Sequence, residues 1–200
     1  MIRNIVFDMG GVLYHFYPTE ALAALPPEDA RIIENAIFHH PDWILQDRGD
    51  VTEAELIERV RARVPERLRE TAEQFVRWYE LTGPVEGMDS LAEELSAAGY
   101  PLYLLSNAGE AFHRFRVRIP ALRFVTGEFV SADYHLLKPD PEIYAKFAEV
   151  FGLCPEECLF IDDWPPNIEA AKACTWDGIV FSGVDDLRRE LAQRAILRNP

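Results

Sequence analysis

The sequence predicts an α/β protein: a doubly wound sheet of five parallel strands, with a block of helices inserted after the first strand. Three patterns carry that expectation. Five short apolar runs closed by polar turn residues read as strands: Ile2–Phe7, Leu102–Leu105, Phe129–Ser131, Leu159–Ile161 and Gly178–Phe181. Between the later runs, apolar residues recur at helical spacing, as in Met88, Leu91 and Leu95 and again in Ile143, Phe147 and Val150. Strand and helix therefore alternate, the pattern of a parallel, Rossmann-like sheet. The third pattern is an interruption: about 95 residues separate the first two strands, several times an ordinary crossover.

The first strand runs directly into Asp8-Met9-Gly10-Gly11. From Tyr17 to about Thr82 the sequence reads as successive helices broken at Pro18, Pro26-Pro27, Pro41, Gly49 and Pro65. Their apolar positions include Leu56, Val60 and Val64, then Phe75, Trp78 and Tyr79. Residues 15–84 are accordingly expected to form a helical cap, and residues 1–14 with 85–200 the α/β core. Gly10-Gly11 and Gly83-Pro84 mark where the chain leaves and rejoins the sheet. A last helix, Val184–Leu197, places Asp185 and Asp186 before Arg188 and Arg189, an order that complements the helix dipole and reads as a solvated face.

Composition narrows the function. Among 200 residues, 34 acidic against 20 basic give a net charge of −14, which argues against nucleic acid or an anionic membrane as partner. With 48% hydrophobic and 12% aromatic residues the chain has enough apolar matter for a core without metal or disulfide staples. No uncharged apolar stretch approaches the ~18 residues of a membrane span. The apolar start meets Asp8 with no small-residue cleavage site, so a cytoplasmic protein is expected, monomer or homodimer. The 3 cysteines, Cys154, Cys158 and Cys174, cannot complete a disulfide framework and are expected as thiols. The C-x3-C pair has no further soft ligands nearby to hold zinc.

Ligands of a doubly wound sheet bind beyond the carboxyl ends of its strands. The residues found there are Asp8 after the first strand, Ser106-Asn107 after the second, Lys138-Pro139 in the loop beyond the third, and Asp162-Asp163 after the fourth. Carboxylates gathered at one point repel unless a hard cation sits among them, and oxygen-only ligands select Mg²⁺. Asp8, one or both of Asp162 and Asp163, a backbone carbonyl and a substrate phosphate oxygen would complete such a site. Lys138 and the Ser106 hydroxyl would then hold the remaining phosphate oxygens, and Asp8 would attack phosphorus in line. Taken singly each of these residues reads as readily as a helix cap or a solvated turn.

Together, in this order, they resemble the haloacid dehalogenase (HAD) superfamily. The matching segments are Phe7-Asp8-Met9-Gly10-Gly11-Val12-Leu13, Leu104-Leu105-Ser106-Asn107, Lys138-Pro139-Asp140-Pro141-Glu142-Ile143-Tyr144, and Phe160-Ile161-Asp162-Asp163 with Asn167 four residues on. The resemblance covers essentially the whole chain and is strongest to the sugar-phosphatase branch that includes α-glucose-1-phosphate phosphatase. That branch shares an Asp-x-Gly first motif and an Arg-Gly turn before a cap helix, here Arg48-Gly49. The resemblance implies Asp8 as nucleophile, Ser106 and Lys138 as the phosphate-binding pair, and Asp163, with Asp162, as metal carboxylates. It also implies that Asn107 and the amides after Asp8 contact the phosphoryl group, and that the substrate is a small phosphorylated metabolite.

One departure matters chemically. Most family phosphatases place an acid/base aspartate two residues after the nucleophile, where this chain has Gly10. The Gly10 carbonyl can still bind the metal and face the substrate, but a lost general acid typically costs about 10² to 10⁴ in rate. That loss hurts least for weakly basic leaving groups, which favours a sugar-1-phosphate or an aryl phosphate. His15 is a candidate substitute acid/base. From the cap and its linker Arg48, Trp43 and Tyr14 are candidates to face substrate, while Trp164 is expected to pack.

The leading expectation is a Mg²⁺-dependent phosphatase acting through an aspartyl-phosphate. A haloacid dehalogenase uses the same aspartate without metal, but Asp162-Asp163 would repel its carboxylate substrate. A phosphorylation-accepting receiver is shorter, capless and carries its acid pair earlier in the chain. A binding protein on a weakened hydrolase scaffold is credible only through Gly10.

Overall fold

The computed structural model describes residues 1–16 and 18–197; Tyr17, the first residue of the expected helical run, lies outside them. Strand β1 (Asn4–Phe7) leads into α1 (Pro18–Leu22), α2 (Pro27–Ala36), α3 (Pro41–Asp47), α4 (Glu53–Arg63) and α5 (Arg69–Val76). The chain continues through α6 (Met88–Ala97), β2 (Leu102–Ser106), α7 (Phe112–Phe115), β3 (Val125–Val130) and α8 (Ser131–Tyr134). It ends with α9 (Pro141–Phe151), β4 (Cys158–Asp162), α10 (Pro165–Ala173), β5 (Asp177–Val180) and α11 (Val184–Gln193).

Every residue of β1, β2 and β4 is buried, so these strands need a layer on each face. The sheet supplies it: five strands, all pairs parallel, in the order β3-β2-β1-β4-β5. Side chains alternate between the faces. Ile5, Phe7, Leu102, Leu104, Leu159 and Ile161 pack with α6 and α11, whereas Val6, Tyr103, Leu105 and Phe160 pack with α9 and α10. The chain winds outward from β1 to β3 and then returns to β4 on the other side of β1. The carboxyl ends of β1 and β4 therefore flank the topological switch point, where a crevice opens.

The third strand starts earlier than its apolar run implies. Val125–Glu128, at the sheet edge, is exposed or half-buried, and only Phe129 and Val130 are covered, so Thr126 and Glu128 disguise its first half. Ser131 opens α8 rather than closing the strand. On α9 the buried face is Ile143, Tyr144, Phe147 and Ala148, and Val150 turns outward, 40% exposed. The last helix stops at Gln193, with Ala195 at φ 56°, and Ile196 and Leu197 fold back onto the core.

Helices α1 to α5 surround a hydrophobic cluster of their own, with Ile33, Ile37, Leu56, Val60 and Phe75 at its centre. Local chemistry starts these helices: Pro41 occupies the first turn of α3, and Thr52 and Glu55 form a reciprocal capping box on α4. The outgoing and returning chain lie side by side, Val85 N–H donating to the Leu13 carbonyl (3.1 Å) and His15 N–H to the Gly83 carbonyl (2.9 Å). Buried Glu53 joins the two layers, accepting from the Tyr79 hydroxyl (2.8 Å) and from Arg114 of α7 (2.6 Å). No described helix is long and apolar enough to cross a membrane.

Candidate active site

The register Phe7↔Ile161 sets the ends of β1 and β4 level, and Asp8 N–H donates to the Ile161 carbonyl at 2.8 Å. Asp8 thereby stands beside Asp162-Asp163, and one carboxylate oxygen from each of the three lies within 4.8 Å of the others. Lys138 enters from the loop before α9, 4% exposed, with its Nζ 2.7 Å from Asp8 Oδ1 and 2.7 Å from Asp162 Oδ2. Three carboxylates against one ammonium leave negative charge uncompensated, and oxygen-only donors at this spacing fit a hard divalent ion.

The two aspartates of the pair differ. Asp162 is fully buried and engaged: Oδ1 accepts from Trp164 N–H (2.8 Å), and Oδ2 from Asn167 Nδ2 (2.9 Å) as well as Lys138. Asp163 is exposed and lines the crevice, which Asp162 does not. Gly11, at φ 75°, lies so close to the Asp163 carboxylate that any Cβ there would collide with it. Ser106 ends β2 and lines the crevice beside Asp8.

Burial pushes the Asp8 carboxyl up, opposed by Lys138 and reinforced by the charges of Asp162 and Asp163. Burial works against the Lys138 charge as well, but Asp162 and Asp8 at contact distance hold the ammonium above its ordinary range. Shelter in the crevice and then the charge of Asp162 raise Asp163.

Above these groups lies a cavity of about 200 Å³ whose far wall comes from the helical segment. Phe16, Trp43, Trp78 and Tyr79 line it, joined by Phe112 and Phe115 of the core. These rings pack on one another, Phe16 edge-on against Trp78 at 4.8 Å and Tyr79 stacked on Phe115 at 4.4 Å between centroids. Two buried acceptors in the lining, Gln46 Oε1 and Asn167 Oδ1, have no hydrogen-bond partner among the described residues.

The structure thus brings together Asp8, Gly10, Ser106, Asn107, Lys138 and Asp163, with Asp162 just beneath. It does not bring Arg48 there. Its guanidinium turns away to pair with Asp50 (Nε–Oδ2 2.5 Å), and of the Arg48-Gly49 pair it is Gly49 that matters locally. At φ 80°, Gly49 lies against the Ala132 carbonyl where a Cβ would not fit. Tyr14 is fully buried, its hydroxyl 2.8 Å from the Tyr79 carbonyl and 2.9 Å from that of Thr82, so it supports rather than lines the site. His15 lines a second cavity, with Pro18, Phe75 and Leu81. Trp164, expected to pack, is instead 52% exposed, and it is the backbone N–H of this residue that meets Asp162.

Sequence reasoning missed Gln46, Asp47 and the aromatic wall apart from Trp43, which it named as a candidate to face substrate and which lines the cavity. Asp47 lines the cavity, and burial pushes its carboxyl up to about 7, with Lys138 opposing and Asp8 adding. Its local sequence carries no mark that separates it from a solvated acid at a helix end.

Residues 2–175 match the family described as haloacid dehalogenase-like hydrolase. A flavin mononucleotide hydrolase of Arabidopsis thaliana is 27% identical over 112 residues, 56% of this chain and 46% of that enzyme, so the match spans under half its length. A sesquiterpene phosphatase of Aspergillus oryzae is 26% identical over 178 residues, 88% of each chain. Among solved structures, a HAD family enzyme of Bacteroides thetaiotaomicron, complexed with magnesium and inorganic phosphate, superimposes with a TM-score of 0.68 at 22% identity. That overlap takes in 92% of this chain and 96% of the other.

Proposed function

The chain belongs to the haloacid dehalogenase-like hydrolases, and from that premise we propose that it is a Mg²⁺-dependent phosphomonoesterase working through an aspartyl-phosphate on Asp8. One observation carries the reading: Asp8, Asp162 and Asp163 converge to within 4.8 Å around a crevice that holds a single ammonium, Lys138. The same cluster weighs against a metal-free dehalogenase, whose carboxylate substrate would meet uncompensated negative charge.

Asp8, Asp163 and the Gly10 carbonyl would hold the ion, and Asp162, engaged from behind, would orient Lys138. When bound, Mg²⁺ neutralises charge on the transferring phosphoryl oxygens. The chain's own residues do the rest. Lys138 and the Ser106 hydroxyl grip the non-reacting oxygens, and Asn107 sets the position of Lys138 through its backbone. Asp8 attacks phosphorus with the oxygen not held by Lys138, the bond to the leaving oxygen breaks, and water later releases phosphate from Asp8.

With glycine at position 10, a sugar-1-phosphate and an aryl phosphate are the two substrate classes whose leaving groups depart most easily. A sugar needs a polar partner for each buried hydroxyl, whereas the wall facing Asp8 is mostly aromatic. The lining therefore favours an organic half built around a ring, carrying one or two donors for Gln46 Oε1 and Asn167 Oδ1.

The test is a turnover screen of aryl, sugar and nucleotide phosphates with Mg²⁺ and with EDTA. Activity lost in EDTA, restored by Mg²⁺ and abolished in Asp8→Asn is the expected result. Binding without turnover across the whole panel would instead indicate a binding protein on a hydrolase scaffold.

A further inference from the structure

Gly10 leaves the nucleophile without a proton donor beside it. We propose that Asp47, the last residue of α3, fills that role, protonating the leaving oxygen and then activating the water that clears the phosphoenzyme. The inference rests on the phosphomonoesterase reading and names the acid/base of that same site.

Geometry is the first support. Asp47 lines the same cavity as Asp8, Ser106 and Lys138, but arrives from the helical segment on the other side. An in-line displacement puts the leaving oxygen on the side of phosphorus away from Asp8, so its acid must come from a wall other than the one that carries Asp8, and the helical segment supplies such a wall. Of the other two carboxylates in the described lining, Asp8 would be the nucleophile and Asp163 would hold the ion. His15 lines a different cavity.

Availability is the second. Among the described residues the Asp47 carboxylate has no hydrogen-bond or ion-pair partner, although its neighbours Arg48 and Asp50 are paired with each other. Burial pushes this carboxyl up to about 7, so acid and base forms coexist near neutrality, as a group that must give and then take a proton requires.

Support is the third. The Ser131 hydroxyl donates to the Asp47 carbonyl and accepts from Ala108 N–H (2.9 Å), fastening the end of α3 to the loop after β2. Gly49 seats the following turn against the Ala132 carbonyl. A reacting group benefits from just such a rigid mount, because small misplacements of it are costly.

The step balances simply. As Asp8 forms its bond to phosphorus, the Asp47 carboxyl gives its proton to the departing oxygen, and the alcohol leaves. The resulting Asp47 carboxylate takes a proton from water, whose oxygen attacks the phosphoryl group. Asp8 is freed, phosphate departs, and Asp47 is again protonated. With the proton supplied this way, leaving-group basicity no longer restricts the substrate, and the aromatic wall alone argues for a ring.

The experiment is a leaving-group series: phenyl phosphates of graded phenol acidity and one alkyl phosphate, assayed with Mg²⁺ on wild type, Asp47→Asn and Asp47→Ala. In wild type, kcat/KM should depend weakly on leaving-group basicity. In both variants the dependence should steepen, p-nitrophenyl phosphate losing little and the alkyl phosphate about 10² to 10⁴-fold. With p-nitrophenyl phosphate the variants should also show a burst of nitrophenolate, because the phosphoenzyme now outlives its formation. A burst amplitude close to one nitrophenolate per enzyme serves as the internal check that the variants fold. An equal loss across the series, or none, overturns the assignment while leaving the phosphatase reading intact; a wild type that hydrolyses no ester overturns both.

Discussion

The side-chain amide of Asn107 grips the backbone of Lys138 on both sides, its Oδ1 accepting from Lys138 N–H at 2.8 Å and its Nδ2 donating to the Lys138 carbonyl at 2.9 Å. The residue after β2 thus determines where the buried ammonium stands relative to Asp8. In Asn107→Ala both bonds go while every charge in the crevice remains. Misplacing a binding group by about 1 Å can cost 10²-fold in rate, so a loss of roughly 10 to 10² in kcat/KM is expected. Steady-state kinetics check it, and an unchanged kcat/KM would show that Lys138 is held in place by its carboxylates alone.

Lys138 itself is a test of charge balance. Removing one partner of a buried ion pair costs about 3 to 5 kcal/mol, because the other is left uncompensated. In Lys138→Met, two nearly inaccessible carboxylates, Asp8 and Asp162, lose their ammonium. Thermal melts in EDTA should fall sharply relative to wild type, and millimolar Mg²⁺ should recover more stability in the variant than in the parent. Equal shifts in both proteins would mean that the ion does not sit among these acids.

Gly10 has room for a side chain. Among the described residues a Cβ there would meet only Phe16, at 3.6 Å, an ordinary contact, and Gly10 is not in the left-handed backbone region. Gly10→Asp should therefore fold and place a second acid near the leaving group. Combined with Asp47→Asn it should restore turnover of alkyl phosphates, by up to about 10²-fold over Asp47→Asn alone, with aryl phosphates little affected. A uniform fall across substrates would show that the added charge disturbs the Asp8 site instead.

Acid should loosen the helical segment before the sheet. Burial raises the Asp42 carboxyl, but Arg63 and Arg59 bound to it bring it below its ordinary value. Asp29, Glu55 and Glu73, all in the same segment, are lowered too, mainly by hydrogen bonds from Arg67, Thr52 and Arg77. A depressed carboxyl stabilises the fold above its unfolded value and loses that contribution as pH falls through its folded value. Amide exchange across α2 to α5 should accelerate as pH drops below about 4, ahead of exchange in β1 and β4. Asp42→Asn should blunt the pH dependence and cost about 1 to 3 kcal/mol at neutral pH.

The aromatic wall and Asp47 show what a linear reading cannot reach. Successive residues on a helix diverge by about 100°, so the turn of α3 that aims Asp47 into the cavity sends Arg48 away from it. Both are ordinary polar residues at a helix end, and choosing between them requires knowing how α3 seats on α8 through Ser131 and Gly49. Phe16 and Trp78 likewise look like routine core aromatics until the helical segment is laid over the strand ends. Val125–Glu128 escaped notice for another reason: an edge strand need not be apolar on both faces.

By contrast, the alternation of strands and helices, the long interruption after β1 and the polar residues closing β1, β2 and β4 are local patterns, written in short apolar runs, in a 3.6-residue periodicity and in the motifs after each strand. They were enough to place Asp8, Ser106, Lys138, Asp162 and Asp163 at one end of a parallel sheet, because parallel strands carry their carboxyl ends to the same edge. What the tertiary structure alone decided is the far side of that crevice. Which helical residues face Asp8 depends on the packing of one layer on another, a contact between segments distant in sequence that no local periodicity encodes.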